Sequence, residues 1–403
     1  MLNWTSQFSI FCFLDNAQYN LAPQQYECLL AVGAQKWAQA GTHTLQQVDA
    51  LIAEHKWLFG HLSYEAAHHL YHLTPKKDPV GFPLFYFFQP RVVVFIKGFE
   101  LHVEGAGAEQ VAQQILNTPP LVQKSFKSLL IQPRLQRDAY IQTIRQLQQH
   151  IQRGDCYEIN FCQEFFAEAA QISPAHVFQK LVQLSPNPFA AFYRLEDQYL
   201  ICASPERFLT KRGHKLLSQP IKGTAPRRTD KALDEKQRQT LLQSPKERAE
   251  NVMVVDLVRN DLSKVCKKGT VQVDELFGIY PFPQVYQMIS TISGILKEEI
   301  TFSQIIEATF PMGSMTGAPK LRVMQLIDQY EKGGRGIFSG AVGYINPNGD
   351  FDFNVVIRSI MYNAGNGYLS YQAGSGITYY SQAEGEWEEC GLKAAAIKKV
   401  LTG

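Results

Sequence analysis

The sequence has no Cys-x-x-Cys pair, no block of basic residues, no low-complexity tract and no unbroken apolar run long enough to cross a bilayer. Each absence removes a class of function. The seven cysteines (Cys12, Cys28, Cys156, Cys162, Cys202, Cys266 and Cys390) are odd in number and scattered, which argues against a disulfide framework or a thiolate zinc site and fits a reducing compartment. A formal net charge of +2 gives no field to attract a nucleic acid or an anionic membrane, so neither is expected as a partner. The opening "MLNWTSQFSIFCFLDN" lacks a basic leader and reads as a first strand rather than a signal peptide. The most apolar stretch, 82–98, is interrupted by Pro83, Gln89, Pro90 and Arg91, so its two halves are expected to be paired strands and not a membrane span. The expected location is the cytoplasm.

What is present is ordinary globular material. Hydrophobic residues make up 45% and charged residues 19% of 403 positions, enough for a substantial core. Residues 1–130 mix short strands and helices and read as architectural. They hold His55, His61, His68, His69 and His72, which form no metal-ligand motif and are expected to be packed or solvated. In residues 131–403, Tyr140, Ile144, Leu147 and Ile151 set a buried stripe on a helix over 134–153, ended by Gly154. In "CYEINFCQEFFAE" Tyr157, Ile159 and Phe161 alternate as in a strand. Further strands are expected at 189–194, 198–204, 336–346, 351–361 and 367–374, and helices at 233–243, 245–263, 318–331 and 382–401. "NPNGD" (346–350) is a hairpin turn. Strands joined to near neighbours predict an α+β fold of antiparallel sheets with helices outside them, and residues 1–130 and 131–403 are expected to form one intertwined unit.

Three features carry chemistry. Glu247 and Glu250 lie three apart on one predicted helix, and Glu386 and Glu389 repeat the spacing on another, with Lys393 one turn on. Alone, each pair is a solvated surface; together, two carboxylate faces suit a hard cation such as magnesium, which takes oxygen ligands and keeps room for water and an anionic substrate. "FPMGSMTGAPKLRVMQLI" runs from a glycine-bearing loop into a helix start, a place for an anion, although it lacks the order of a nucleotide P-loop. "QPIKGTAPRR" sets Lys222 between an apolar residue and a Gly-Thr turn, with Pro220 and Pro226 stiffening both sides. In isolation that stretch is a surface loop.

In chain order, "GDCYEINFCQEF", "SPERF", "PIKGT", "ENVMVVDLVRNDL", "STISG", "FPMGSMTGAPK", "GAVGY", "FNVVIRS", "AGSGI" and "EWEE" resemble the chorismate-utilising enzymes, and among them the aminodeoxychorismate synthases. The resemblance covers about 134–403 and is loose before that. It implies two layers of antiparallel sheet with helices around them and a cleft between the layers. It implies chorismate as substrate and Mg2+ as cofactor, with Glu250 and Glu389 as main ligands and Glu247 and Glu386 behind them or bridging through water. Arg358, the amides around Gly374, and Lys393 are implied partners of the enolpyruvyl carboxylate, and Gly223 and Thr224 the ring side of the pocket.

Lys222 stands where anthranilate, salicylate and isochorismate synthases typically carry alanine. In the synthases with "PIKGT" the amine adds to C2 of chorismate as the C4 hydroxyl departs, with Glu206 of "SPERF" as general acid. Ammonia then attacks C4 and expels the lysine, leaving 4-amino-4-deoxychorismate with its pyruvyl ether intact. The amine must be neutral to attack, which near pH 7.5 asks for a fall of roughly three units from about 10.4; burial is expected to push that way, and Glu206 to shift upward. Three positions depart from the family: Glu158 where glutamine is frequent and water-adding relatives carry a base lysine, Gln287 where many have histidine, and Phe338 in place of a substrate-touching tyrosine. The alternatives are an anthranilate synthase component I, opposed by Lys222, an isochorismate or salicylate synthase, opposed by Glu158, and a catalytically silent binder, opposed by the retained site. The resemblance includes no glutaminase region, so ammonia is expected from a separate glutamine amidotransferase subunit.

Overall fold

The computed structural model describes residues 1–19, 26–98, 100–121 and 128–402. Every ladder between its strands is antiparallel, and the ladders join into one long ribbon of sheet. From Glu158–Ala167 the ribbon passes through Tyr368–Ile377, Ser359–Asn363, Gln198–Ser204, Phe189–Leu195 and Ile10–Asp15 to Cys28–Gln39. It continues through Phe85–Lys97, Leu58–Leu62, Ala341–Ile345, Phe351–Asn354, Arg207–Arg212 and Lys215–Gln219 to Val285–Ile295. That last strand also pairs with Ile221–Pro226 and Gln272–Pro281. Strands from the first 130 residues therefore sit in the middle of the ribbon.

Strand alternation explains why the ribbon folds over. In Gln198–Ser204, Leu200 and Cys202 enter a central core with Phe87, Phe208 and Phe353 of the other half. Ile201 and Ala203 face the opposite way, into a second core with Val177 and Phe178 of the helix Pro174–Leu184 and Ile397 of the helix Ala383–Thr402. A strand apolar on both faces must be covered on both, and here one cover is the other half of the ribbon and the other is helix.

The long elements fall close to expectation: Arg137–Gln152, Lys231–Gln243, Pro245–Val265, Lys320–Tyr330 and Ala383–Thr402 are helices. The "NPNGD" turn joins Ala341–Ile345 to Phe351–Asn354, with Gly349 at φ +75°. Three expectations are corrected. Residues 82–98 are not two strands paired with each other: Phe85–Lys97 is one strand, paired along one side with Cys28–Gln39. Its other side pairs with Leu58–Leu62 up to Phe88 and with Glu100–Gly105 from Val92. Pro90 falls in the gap between these two neighbours, where no ladder needs its missing N–H. The stretch 351–361 is not continuous, because the chain breaks after Asn354 and resumes at Ser359 with Arg358 at φ +53°. Residues 336–340 do not extend the following strand; they form a turn closed by Phe338 N–H to Arg335 O and Gly340 N–H to Ile337 O. Of the histidines, His68 is buried against the Tyr64 ring and His61 bonds Tyr193 and Pro83, while His69 and His72 are exposed.

Candidate active site

The two ends of the ribbon meet at one ion pair. Lys222, from Ile221–Pro226, places its Nζ 2.5 Å from Oε1 of Glu158, the first residue of Glu158–Ala167. Their side chains are 11% and 3% exposed. The local cause is a β-bulge: Ile221 pairs with Ile289 and Thr224 with Gln287, so Lys222 and Gly223 together stand opposite Met288. Gly223 takes φ +99°, which a side chain would strain, and a Cβ there would come within 3.1 Å of Glu247 and 3.2 Å of Leu241. The Lys-Gly order therefore builds the bulge that turns the amine inward. Gly376 closes the other side, because a Cβ there would come within 2.4 Å of Glu158 Oε1 and 2.9 Å of Lys222 Nζ.

Glu206 is buried, and desolvation pushes its carboxyl up to about 7, while the Ser314 hydroxyl, the Lys222 ammonium and the Ile221 backbone pull the other way. The upward shift is the one a general acid needs. Lys222 moves against expectation. Burial does push its pKa down, but the carboxylates of Glu158, Glu250 and Glu206 outweigh it and the net shift is upward. The resting amine is an ammonium, and the sequence reading missed this because Glu158 lies 64 positions away.

The glutamate helices flank this pair. Pro245–Val265 begins with Ser244 accepting from the Glu247 N–H, and Glu250 follows one turn later. Burial raises Glu247, and raises Glu250 to about 7. Glu250 keeps one buried oxygen without a hydrogen-bond partner. On Ala383–Thr402, Glu386 is buried and accepts from the Ser375 hydroxyl. Glu389 pairs with Lys393 at 2.7 Å. Burial alone would raise Glu389, but Lys393, Lys246 and Lys222 hold it below the usual carboxylate range. Burial pushes the Lys246 ammonium down, but the charges of all four carboxylates outweigh it and raise its pKa. Among the described residues no three His, Cys, Asp or Glu side chains stand close enough to hold a metal ion as they are.

The remaining named residues divide. Lys393 donates to Gly374 O at 2.9 Å, and Arg358 donates to Lys393 O at 3.1 Å, its own pKa lowered by burial against the Glu389 charge. Thr224 is exposed, and Gln287 opposite it is buried with its Oε1 unpartnered. Phe338 is packed into the central core. The glycine loop pairs before its helix begins: Gly317–Ala318 pairs with Glu158 and Ile159, and the helix starts at Lys320 with Pro319 as its N-cap and no side-chain cap bond. Arg335 was not foreseen. It is 2% exposed, forks onto Glu331, and donates to Met315 O and Asn160 O, tying the loop beside Glu206 to the strand that carries Glu158. The legible signal was parity: Ile159 and Phe161 face one core, so Glu158 and Asn160 face the other side.

A folded antiparallel ribbon with a buried lysine and glutamates at its meeting ends defines a class of structure. The crystal structure of anthranilate synthase component I from Streptococcus pneumoniae is similar to it, with a TM-score of 0.82 over 94% of this chain and 93% of that one at 24% identity. The profile of the chorismate binding enzymes matches residues 7–399, and the chain belongs to that family, its first third included. Among curated relatives, aminodeoxychorismate synthase component 1 of Escherichia coli is 41% identical over 270 residues, 67% of this chain and 59% of that protein. The anthranilate synthase component I-like protein of Synechocystis is 34% identical over 356 residues, 86% of this chain and 73% of that protein. The matched segment thus spans somewhat over half of the Escherichia coli relative.

Proposed function

We propose that this chain converts chorismate and ammonia to 4-amino-4-deoxychorismate, with Lys222 as nucleophile and Glu206 as general acid. The observation that carries the reading is the meeting of an amine and a raised-pKa carboxyl in one buried place. Lys222 occupies C2 as the C4 hydroxyl leaves with the Glu206 proton, which directs ammonia to C4 and keeps the enolpyruvyl group. Lys393, Arg358 and the backbone at Gly374 orient a substrate carboxylate. The all-oxygen donors, the Glu250 oxygen that lacks a hydrogen bond and the negative charge that all four carboxylates bring to Lys246 suit Mg2+. Glu250 and Glu389 would hold it, with Glu247 and Glu386 behind, and the ion would neutralise substrate carboxylate charge. The printed name "component 1" of the relatives supports a partner, which we take to be a glutaminase that supplies ammonia. Among the described residues no helix is long and apolar enough to cross a membrane, and all seven cysteines are free and buried, which supports a cytoplasmic setting.

The test is product analysis with chorismate, Mg2+ and ammonium. The expected outcome is 4-amino-4-deoxychorismate without pyruvate or anthranilate fluorescence, with glutamine replacing ammonium only when a glutaminase is added. Stoichiometric pyruvate and anthranilate would overturn the reading in favour of the lyase.

A further inference from the structure

We propose that Glu158 is the proton store for Lys222, taking the ammonium proton as the amine attacks and returning it when the amine is expelled. The inference rests on the reading of Lys222 as nucleophile. It starts from an apparent contradiction: an amine that must attack as a free base is held here as an ammonium, Glu158 first and Glu250 next among the charges that act on it. Something must accept its proton, and solvent reaches only 11% of the side chain. The acceptor at hydrogen-bond distance is Glu158, itself 3% exposed and 2.5 Å away. Gly376 backs both groups so closely that not even a methyl fits, which keeps the pair in register. The charged groups acting on Lys222 are Glu158 from a strand, Glu250 and Glu247 from one helix, Glu389 from the final helix and Glu206 from the approach to a second strand. Glu206 is unavailable as acceptor, since it must enter the step protonated.

The proton count then closes. Lys222 gives one proton to Glu158 and its lone pair forms the N–C2 bond. Both ring double bonds shift along the conjugated path from C2 through C1, C6 and C5, the C4–O bond breaks, and the hydroxyl leaves as water with the Glu206 proton. Lys222 is now a secondary ammonium, Glu158 is neutral and Glu206 is a carboxylate. Ammonia attacks C4, both double bonds shift back and the C2–N bond breaks with its electrons on Lys222. The C4 ammonium gives a proton to Glu206, and Lys222 recovers its own from Glu158. Both carboxyls return to their starting states, and the sum is chorismate plus ammonia to aminated product plus water.

The test is Glu158→Gln, which keeps a hydrogen-bonding group of the same shape but cannot take a proton. At pH 7 its kcat should fall roughly a hundredfold or more, the usual weight of a proton-transfer group. The variant then depends on the small fraction of free amine, so its deficit against wild type should shrink about tenfold per pH unit between about pH 6 and 8.5. A wild-type kcat, or a deficit constant across pH, overturns the proposal. Should Glu158→Gln lack a cooperative thermal transition, Glu158→Asp replaces it: a retained carboxylate should give a slower enzyme with the wild-type pH profile, and a deficit that shrinks with pH there overturns it equally. Lys222→Ala is assayed alongside. Product at the wild-type rate from that variant sinks the nucleophile reading itself, whereas loss of product with a pH-independent Glu158→Gln deficit sinks only the role of Glu158.

Discussion

Glu206 shows how one buried side chain links stability to catalysis. Its ordinary value is 4.5 and desolvation lifts it to about 7 in the folded protein. The native state therefore keeps a proton that the unfolded chain releases. The stability contributed by this group is fully present below about 4.5 and is lost as pH rises through 7. Glu206→Gln is uncharged throughout, so its stability relative to wild type should rise by about 2–3 kcal/mol between pH 4.5 and 8, read from paired thermal midpoints. The same variant should form almost no product, and the alkaline fall in wild-type rate near pH 7 should vanish from its residual activity. A stability difference flat with pH would mean the carboxyl is ionised throughout.

At the scale of elements, the helices Pro245–Val265 and Ala383–Thr402 matter through the one face each turns to the site. The i,i+3 spacing puts Glu247 with Glu250, and Glu386 with Glu389, but burial separates them from a solvated surface: Glu386 is 4% exposed and Glu250 has a buried oxygen with no hydrogen-bond partner. If these faces hold Mg2+, Glu250→Gln or Glu389→Gln should raise the Mg2+ concentration needed for half-maximal rate about tenfold or more and leave the thermal transition without Mg2+ almost unmoved. Near-normal turnover at limiting Mg2+ would remove that residue from the ligand set. The cap of the first helix is separable. Ser244→Ala loses the bond from Glu247 N–H and should cost about 1 kcal/mol of stability, measured by denaturant unfolding.

For the whole molecule, the decisive feature is that the ends of one ribbon are brought together, and Arg335 is among the ties that hold them. It is buried with Glu331 and bonds the carbonyls of Met315 and Asn160, beneath the Tyr64 ring at 4.5 Å. Arg335→Ala would leave Glu331 buried without its counter-charge, at a cost of about 3–5 kcal/mol. Unfolding should begin at lower denaturant, and activity should fall although Arg335 touches neither Lys222 nor Glu206 through any hydrogen bond. Unchanged stability would make this network dispensable.

The sequence by itself determined the helices, the antiparallel class and the identities of Lys222, Glu206 and the paired glutamates, because those are local: periodicity, turn chemistry and motif order need no distant partner. The bulge was not among them: Lys-Gly between prolines reads as a loop in isolation, and only pairing with Val285–Ile295 makes it the bulged strand Ile221–Pro226. Where strands end was less legible. Phe85–Lys97 runs through Pro90 only because two different neighbours leave a gap there, and 351–361 breaks only because Arg358 turns toward the final helix. Tertiary structure alone decided the charge state of Lys222. A lysine among apolar neighbours argues for a depressed pKa, and burial does act that way. Closure of the ribbon, however, sets Glu158 against it across 64 positions of chain at 2.5 Å, with Glu250 also acting on it, and together the opposite charges outweigh the burial.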